Sequence, residues 1–135
     1  MIAFVATPIG NLKDITLRAL EELRAADVIF CEDTRHTLRL LNAYEIKKPL
    51  FSCHKFNERE AAERILAFSR EGKRVCVVSD AGTPVISDPG NTVCATLRAA
   101  GETYTVIPGA NAALSALIVS ALPADRFTFV GFLSD

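Results

Sequence analysis

The feature that most constrains this chain is a rhythm: short, nearly unbroken apolar runs alternate with stretches of helical periodicity. The runs are Ile2–Ala6, Asp27–Cys31, Leu50–Cys53, Arg74–Ser79 and Thr103–Ile107, with a further candidate at Phe127–Phe132. Apolar runs without alternation suit a parallel sheet covered on both faces, because a half-exposed strand would alternate apolar and polar residues. Between the runs, Leu17, Leu20 and Leu23 recur at helical spacing behind a candidate cap at Asp14, and Leu38 and Leu41 do so behind Asp33-Thr34. Asn57-x-x-Glu60 resembles a capping box ahead of Ala61, Ile65 and Phe68. Val93, Leu97 and Ala100 form the next stripe, stopped by Gly101, and Leu114, Leu117, Ile118 and Ala121 form the last. Alternation at this rhythm means βαβ units with right-handed crossovers, so the expected fold class is α/β.

Length and composition agree with that class. The 135 residues suit one domain, and with 50% apolar and 23% charged residues the chain can bury a core. No apolar run approaches the length of a membrane span. The start, Met1-Ile-Ala-Phe-Val-Ala-Thr-Pro8, lacks the basic head and long apolar stretch of an export signal and reads as a first strand. Cys31, Cys53, Cys76 and Cys94 show no Cys-x-x-Cys spacing and are expected to be reduced, three of them in or at the end of apolar runs. Reduced cysteines without an export signal point to the cytoplasm. Charge is unevenly spread: residues 35–74 carry ten basic and five acidic groups, while both flanking segments are net acidic. This basic middle is either a solvated helix face or a docking surface for an anionic partner.

In an open parallel sheet, ligands bind beyond the carboxyl ends of the strands. There the residue types are unusual: Thr7-Pro-Ile-Gly-Asn11, Glu32-Asp-Thr-Arg-His36, His54-Lys-Phe-Asn57, Asp80-Ala-Gly-Thr-Pro84 and Pro108-Gly-Ala-Asn111. The helix-to-strand returns are ordinary polar or small turns, so the five special loops mark one edge of the sheet as the working edge. The fourth, Ser79-Asp-Ala-Gly-Thr-Pro-Val-Ile-Ser-Asp-Pro-Gly90, is longer than most connections in such folds. Its glycines permit close backbone approach, its prolines stiffen the path, and Asp80, Thr83, Ser87 and Asp88 offer polar groups to a small ligand. The first strand is followed by no Gly-x-Gly-x-x-Gly, and the chain has no Gly-x-x-x-x-Gly-Lys-Ser/Thr, which argues against dinucleotide and P-loop chemistry. A metal site from Cys31, His36, Cys53 and His54 finds no support in their spacing, and none is expected.

Ala6-Thr-Pro-Ile-Gly-Asn-Leu-Lys-Asp-Ile-Thr-Leu-Arg-Ala-Leu20, Cys31-Glu-Asp-Thr-Arg-His36, the Ser79–Gly90 loop and Pro108-Gly-Ala-Asn-Ala112 stand in an order and spacing that resemble the tetrapyrrole (corrin/porphyrin) methylase superfamily. More narrowly, they are similar to its ribosomal RNA branch, the small-subunit methyltransferases that modify a cytidine 2′-hydroxyl. The resemblance implies a five-stranded parallel sheet with helices on both faces, in three α/β/α layers, forming the amino-terminal half of a two-domain enzyme whose carboxy-terminal domain lies outside this chain. It implies S-adenosylmethionine as the methyl donor, small-subunit ribosomal RNA or the ribosomal subunit as the partner, and a homodimer. Pro8 and Gly10 would approach the donor from the first loop. Asp80, Ala81, Gly82, Thr83, Ile86 and Ser87 would line its methionine and sulfonium part, and Pro108, Gly109 and Ala112 would close the pocket. Thr34, Arg35, His36 and Asn57 would face the RNA, with Glu32, Asp33 and His54 as candidates for the base that takes the hydroxyl proton. The fifth loop departs from that family in carrying Asn111 where a serine is usual. The rival readings are a methylase of a tetrapyrrole ring carbon and a non-catalytic binding or dimerisation module.

Overall fold

A computed structural model describes residues 1–134. Its centre is a parallel sheet of five strands, β1 (Ile2–Val5), β2 (Val28–Cys31), β3 (Leu50–Ser52), β4 (Val75–Val77) and β5 (Tyr104–Ile107), in the spatial order β3-β2-β4-β1-β5. Every ladder is parallel, with Phe4 beside Val77 and Val106, and Phe30 beside Phe51 and Val77. β1, β2 and β4 are buried along their whole length, as unbroken apolar runs require. β3 and β5 form the edges and are only partly covered.

Five helices follow the strands: α1 (Leu17–Ala25), α2 (Thr34–Ala43), α3 (Glu58–Arg70), α4 (Asn91–Ala99) and α5 (Ala112–Val119). Ala61, Ala62, Ile65 and Leu66 of α3 and Val93 and Leu97 of α4 pack with Ile2, Phe4, Phe30 and Val77 on one face. Ala19 and Leu23 of α1 and Leu41 of α2 pack with Ala3, Val5, Ile29 and Cys76 on the other. The expected three layers are present. Alternate residues of each strand feed opposite cores, the period of two that a pleated strand imposes. Cys31, Cys53 and Cys76 are buried, Cys94 is half-buried, and all four are free. Burial pushes the Cys53 and Cys76 thiols up to about 12, so they sit in the core as neutral groups.

Several local expectations are corrected. α1 is capped by Thr16, whose side chain accepts from the Ala19 N–H; Asp14 instead closes a short 3-10 turn at Leu12–Asp14. Leu17 and Leu38 are exposed, while Ala19 and Leu23 are the buried residues of α1 and Thr37, Leu40 and Leu41 those of α2. The Asn57–Glu60 capping box does not form: the Asn57 side chain turns back, accepting from the His54 N–H at 2.8 Å and donating to Ser52. Phe127–Phe132 is not a strand. Although the outer edge of β5 is open, this segment does not pair with it and instead passes the fourth loop, where a Cβ on Gly131 would lie 3.0 Å from Ser87 Oγ.

Candidate active site

All strands being parallel, their five following loops emerge at one edge. α1 and α2 cover one face and α3 and α4 the other, so the chains leaving β1 and β4 diverge between neighbouring strands and open a crevice. The crevice is braced across its floor. Thr7 and Gly82 exchange backbone hydrogen bonds at 3.0 Å each, tying the first loop to the fourth. The Asp33 N–H donates to Asp80 Oδ1 at 3.0 Å, tying the second to the fourth.

The fourth loop holds an uncommon backbone path. Val85 (φ 79°) and Ser87 (φ 56°) sit in the left-handed region, which a β-branched residue enters only under constraint. Val85 packs against the core beneath α3 and α4, and a Cβ on Gly90 would meet its Cγ2 at 2.7 Å, so glycine is required there. The far end of the loop is clasped by Glu58 of α3, whose Oε1 accepts from the N–H groups of Gly90 (2.8 Å), Thr92 (2.7 Å) and Val93 (3.4 Å). A carboxylate from a neighbouring helix thus caps α4, where Gly90 supplies no side chain. Nothing in the local sequence marks Glu58 for this task; only the packing of α3 beside α4 brings it there.

Two clefts flank this braced floor. The first, of about 370 Å³, lies between the first loop, α2 and the end of β4; Thr7, Pro8, Gly10, Thr37, Leu40 and Asp80 are among its walls. The second, of about 340 Å³, is lined by Gly82, Thr83, Ile86, Asp88, Asn111, Ala112 and Phe129, among others. Ile9 and Ala81 belong to both and form the partition. The residues expected around the donor are therefore divided. Pro8, Gly10 and Asp80 line the first cleft, Gly82, Thr83, Ile86 and Ala112 the second, and Ala81 both. Ser87, Pro108 and Gly109 line neither; Gly109 instead lets the fifth loop pass β1 closely, since a Cβ there would lie 3.0 Å from that of Ala6. Asp88, expected to offer a polar group to a ligand, lines the second cleft; Ile9 and Phe129 are wall residues that their types alone did not single out.

The candidate bases separate by environment. Asp33 caps α2 through the Arg35 N–H at 2.9 Å and pairs with the Arg35 guanidinium at 3.3 Å; those bonds hold its carboxyl below the usual range. His54 Nδ1 already accepts the Phe56 N–H at 3.1 Å, and neither His54 nor Asn57 lines these clefts. Glu32 lines neither cleft either, but partial burial raises its carboxyl, and the nearby charges of Asp80 and Asp88 raise it further. Asp88 is also raised, first by burial. Thr34, Arg35 and His36 begin α2, and Arg35, His36 and Arg39 line a small neighbouring cleft with Asp33. Among the described residues, no group of three or more His, Cys, Asp or Glu side chains is placed to hold a metal ion.

The tetrapyrrole (corrin/porphyrin) methylases as a family match residues 1–134 of the chain. The chain belongs to that family. Relatives similar to it include a protein named ribosomal RNA small subunit methyltransferase I from Thermotoga maritima, 49% identical over 132 residues, covering 98% of this chain and 60% of that one. A protein of the same name from Escherichia coli O157:H7 is 52% identical over 129 residues, covering 96% and 45%. This family member thus spans about half the length of the curated relatives it matches. Among solved structures, uroporphyrin-III-C-methyltransferase from Thermus thermophilus superposes with a TM-score of 0.69 at 28% identity, over 90% of this chain and 53% of that one. A cobalt precorrin-4 methyltransferase shares the fold, with a TM-score of 0.68 at 22% identity, over 88% and 50%.

Proposed function

We propose that this family member is part of an S-adenosylmethionine-dependent methyltransferase that methylates the 2′-hydroxyl of a cytidine ribose in small-subunit ribosomal RNA. The observation that carries the reading is the pair of clefts separated only by Ile9 and Ala81, since methyl transfer needs donor and acceptor held in contact and in line. The relatives' shared name supports an RNA acceptor.

The second cleft fits the donor. Its walls at Ala81, Gly82 and Ala112 are small, and Gly82 (φ 77°) brings backbone into a space where a side chain would press on Ile9 at 3.3 Å. Asp88 supplies negative charge beside a ligand that carries a sulfonium and an ammonium. Held there by Ala81, Gly82, Asp88 and Ala112, the donor would supply an activated methyl group for the attacking oxygen. Of the three candidate bases we take Glu32 for the hydroxyl proton: its neighbour Asp33 is tied through its N–H to Asp80 of the first cleft, and its own carboxyl is raised where that of Asp33 is lowered by Arg35. The RNA side is read on the basic segment: Arg35 and Arg39 are exposed on α2, and Phe56 stands 88% exposed between Lys55 and the start of α3, a cation-flanked ring on which a base can stack. A homodimer working in the cytoplasm suits the exposed apolar surface of α5 and the absence of any helix long and apolar enough to cross a membrane among the described residues.

The test uses a protein of the relatives' length beginning with these 135 residues. Small-subunit RNA and uroporphyrinogen are offered separately with labelled donor, and the products are digested and weighed. The reading expects 2′-O-methylcytidine and no methylated tetrapyrrole. Label in the tetrapyrrole alone moves the protein to the ring-methylating side of the family. Label in neither, with the donor bound, supports a binding module.

A further inference from the structure

The first cleft contains groups that the proposed reaction has not used. Thr7 and Thr37 are each 2% exposed; the Thr7 hydroxyl has no hydrogen-bond partner among the described residues, and that of Thr37 has only the Cys31 thiol beside it. A buried hydroxyl without a partner costs free energy, so the Thr7 hydroxyl, in a residue of the cleft wall, marks unspent hydrogen-bonding capacity, with Thr37 in the same wall. Above them stand Ile9, Leu12 and Leu40, an apolar lining suited to a flat ring. His36 and Arg39 stand at the edge shared with the small neighbouring cleft. Arg35 is engaged with Asp33, whereas Arg39 forms no ion pair among the described residues. Apolar walls, two hydroxyls and a free guanidinium together match a planar heterocycle joined to a phosphate.

We infer that this cleft is a nucleobase pocket, receiving the pyrimidine of the target nucleotide flipped out of the RNA, with Thr7 and Thr37 meeting its polar edge and Arg39 holding its phosphate. The inference rests on the RNA-methylating reading and adds to it the place where the acceptor is recognised. A single-stranded base is read by apolar contact and by hydrogen bonds to its edge, and enzymes that act on one nucleotide extrude it from its stack. With the base in the first cleft, its ribose lies toward the Ile9–Ala81 partition, the side from which the methyl group arrives. Recognition and chemistry then belong to different walls: α2 and the first loop select the nucleotide, and the fourth loop presents the donor.

The test compares two RNAs in single-turnover methylation by a protein of the relatives' length. One carries the target cytidine, and the other an abasic ribose with its 2′-hydroxyl at the same position. The wild-type protein is expected to prefer cytidine by about ten-fold or more, the effect of about 1.4 kcal/mol of base recognition. In Thr37→Val, and in Leu12→Trp, which alters an exposed rim residue, the rates on the two RNAs converge while donor affinity stays within about two-fold. Arg39→Ala raises KM for both RNAs and lowers the salt dependence of binding. Undiminished preference for cytidine in both Thr37→Val and Leu12→Trp overturns the pocket, as does a wild-type enzyme that methylates both RNAs equally. A wild-type protein that binds donor yet methylates neither RNA overturns the underlying reading, and the pocket with it.

Discussion

At Glu32 the chain keeps a carboxylate where its charge is opposed by burial and by the carboxylates of Asp80 and Asp88. A carboxyl raised in the folded state binds its proton more tightly than in the unfolded chain, so its ionisation opposes folding. That penalty is absent below the ordinary carboxylate range, grows as pH rises through the raised folded value, and is complete above it. Glu32→Gln removes it. The variant is expected to melt higher than wild type at neutral pH and to match it under acid, while methyl transfer falls by about 10²–10⁴, the usual worth of a positioned base. Melting curves across the pH range, run beside single-turnover rates, check both halves; a variant equally active or less stable at neutral pH contradicts the assignment. The sequence placed Glu32, Asp33 and His54 together as candidates, because residue type says which groups can move a proton. It could not rank them, since the ranking depends on Arg35 reaching back to Asp33 and on Asp80 and Asp88 arriving from a loop nearly fifty residues away.

The same division between local and long-range information governs the elements. Strand positions were legible because β1, β2 and β4 are buried on both faces and their apolar runs have no gaps. Helix starts were legible where the cap is local, as at Asp33 for α2. They were misread where a better acceptor stands two residues on, as at Thr16, and left without a signal where the cap comes from another helix, as with Glu58 above α4. Glu58 is the more consequential case, because it fixes both the start of α4 and the end of the Ser79–Gly90 loop. Glu58→Ala is expected to cost about 1–2 kcal/mol, the range for losing a helix cap, and to weaken donor binding more than RNA binding. Denaturant unfolding with donor titration measures this; unchanged donor affinity beside lowered stability would limit Glu58 to capping.

For the whole molecule, the parallel sheet and the shared loop edge followed from the alternation of elements, but the strand order and the division of that edge into two clefts did not. The partition at Ile9 and Ala81 arises from the Thr7–Gly82 bridge, a pairing of loops 75 residues apart that no local pattern announces. The carboxy-terminal stretch was misjudged for a related reason: Phe127–Phe132 is apolar like a strand yet runs past the fourth loop and does not pair with the open edge of β5. With α5, it leaves an apolar surface in this chain, Ile118 being 77% and Val119 85% exposed, and a helix apolar on every side is ordinarily covered. The isolated chain is expected to self-associate. Ile118→Lys with Val119→Lys should raise the monomer fraction in sedimentation with a stability change of about 0.5 kcal/mol or less, as for exposed positions; a large loss of stability would mean that α5 is covered within the chain itself. The central claim, that adjoining clefts hold donor and acceptor, is tested most directly by methyl NMR of a relative-length protein labelled at Ile, Leu and Ala. S-adenosylmethionine should shift Ile86 and Ala112, target RNA should shift Leu12 and Leu40, and Ile9 and Ala81 should respond to both. Donor shifts that bypass Ile86 and Ala112, or donor and RNA shifts that share no residue at the partition, would contradict it.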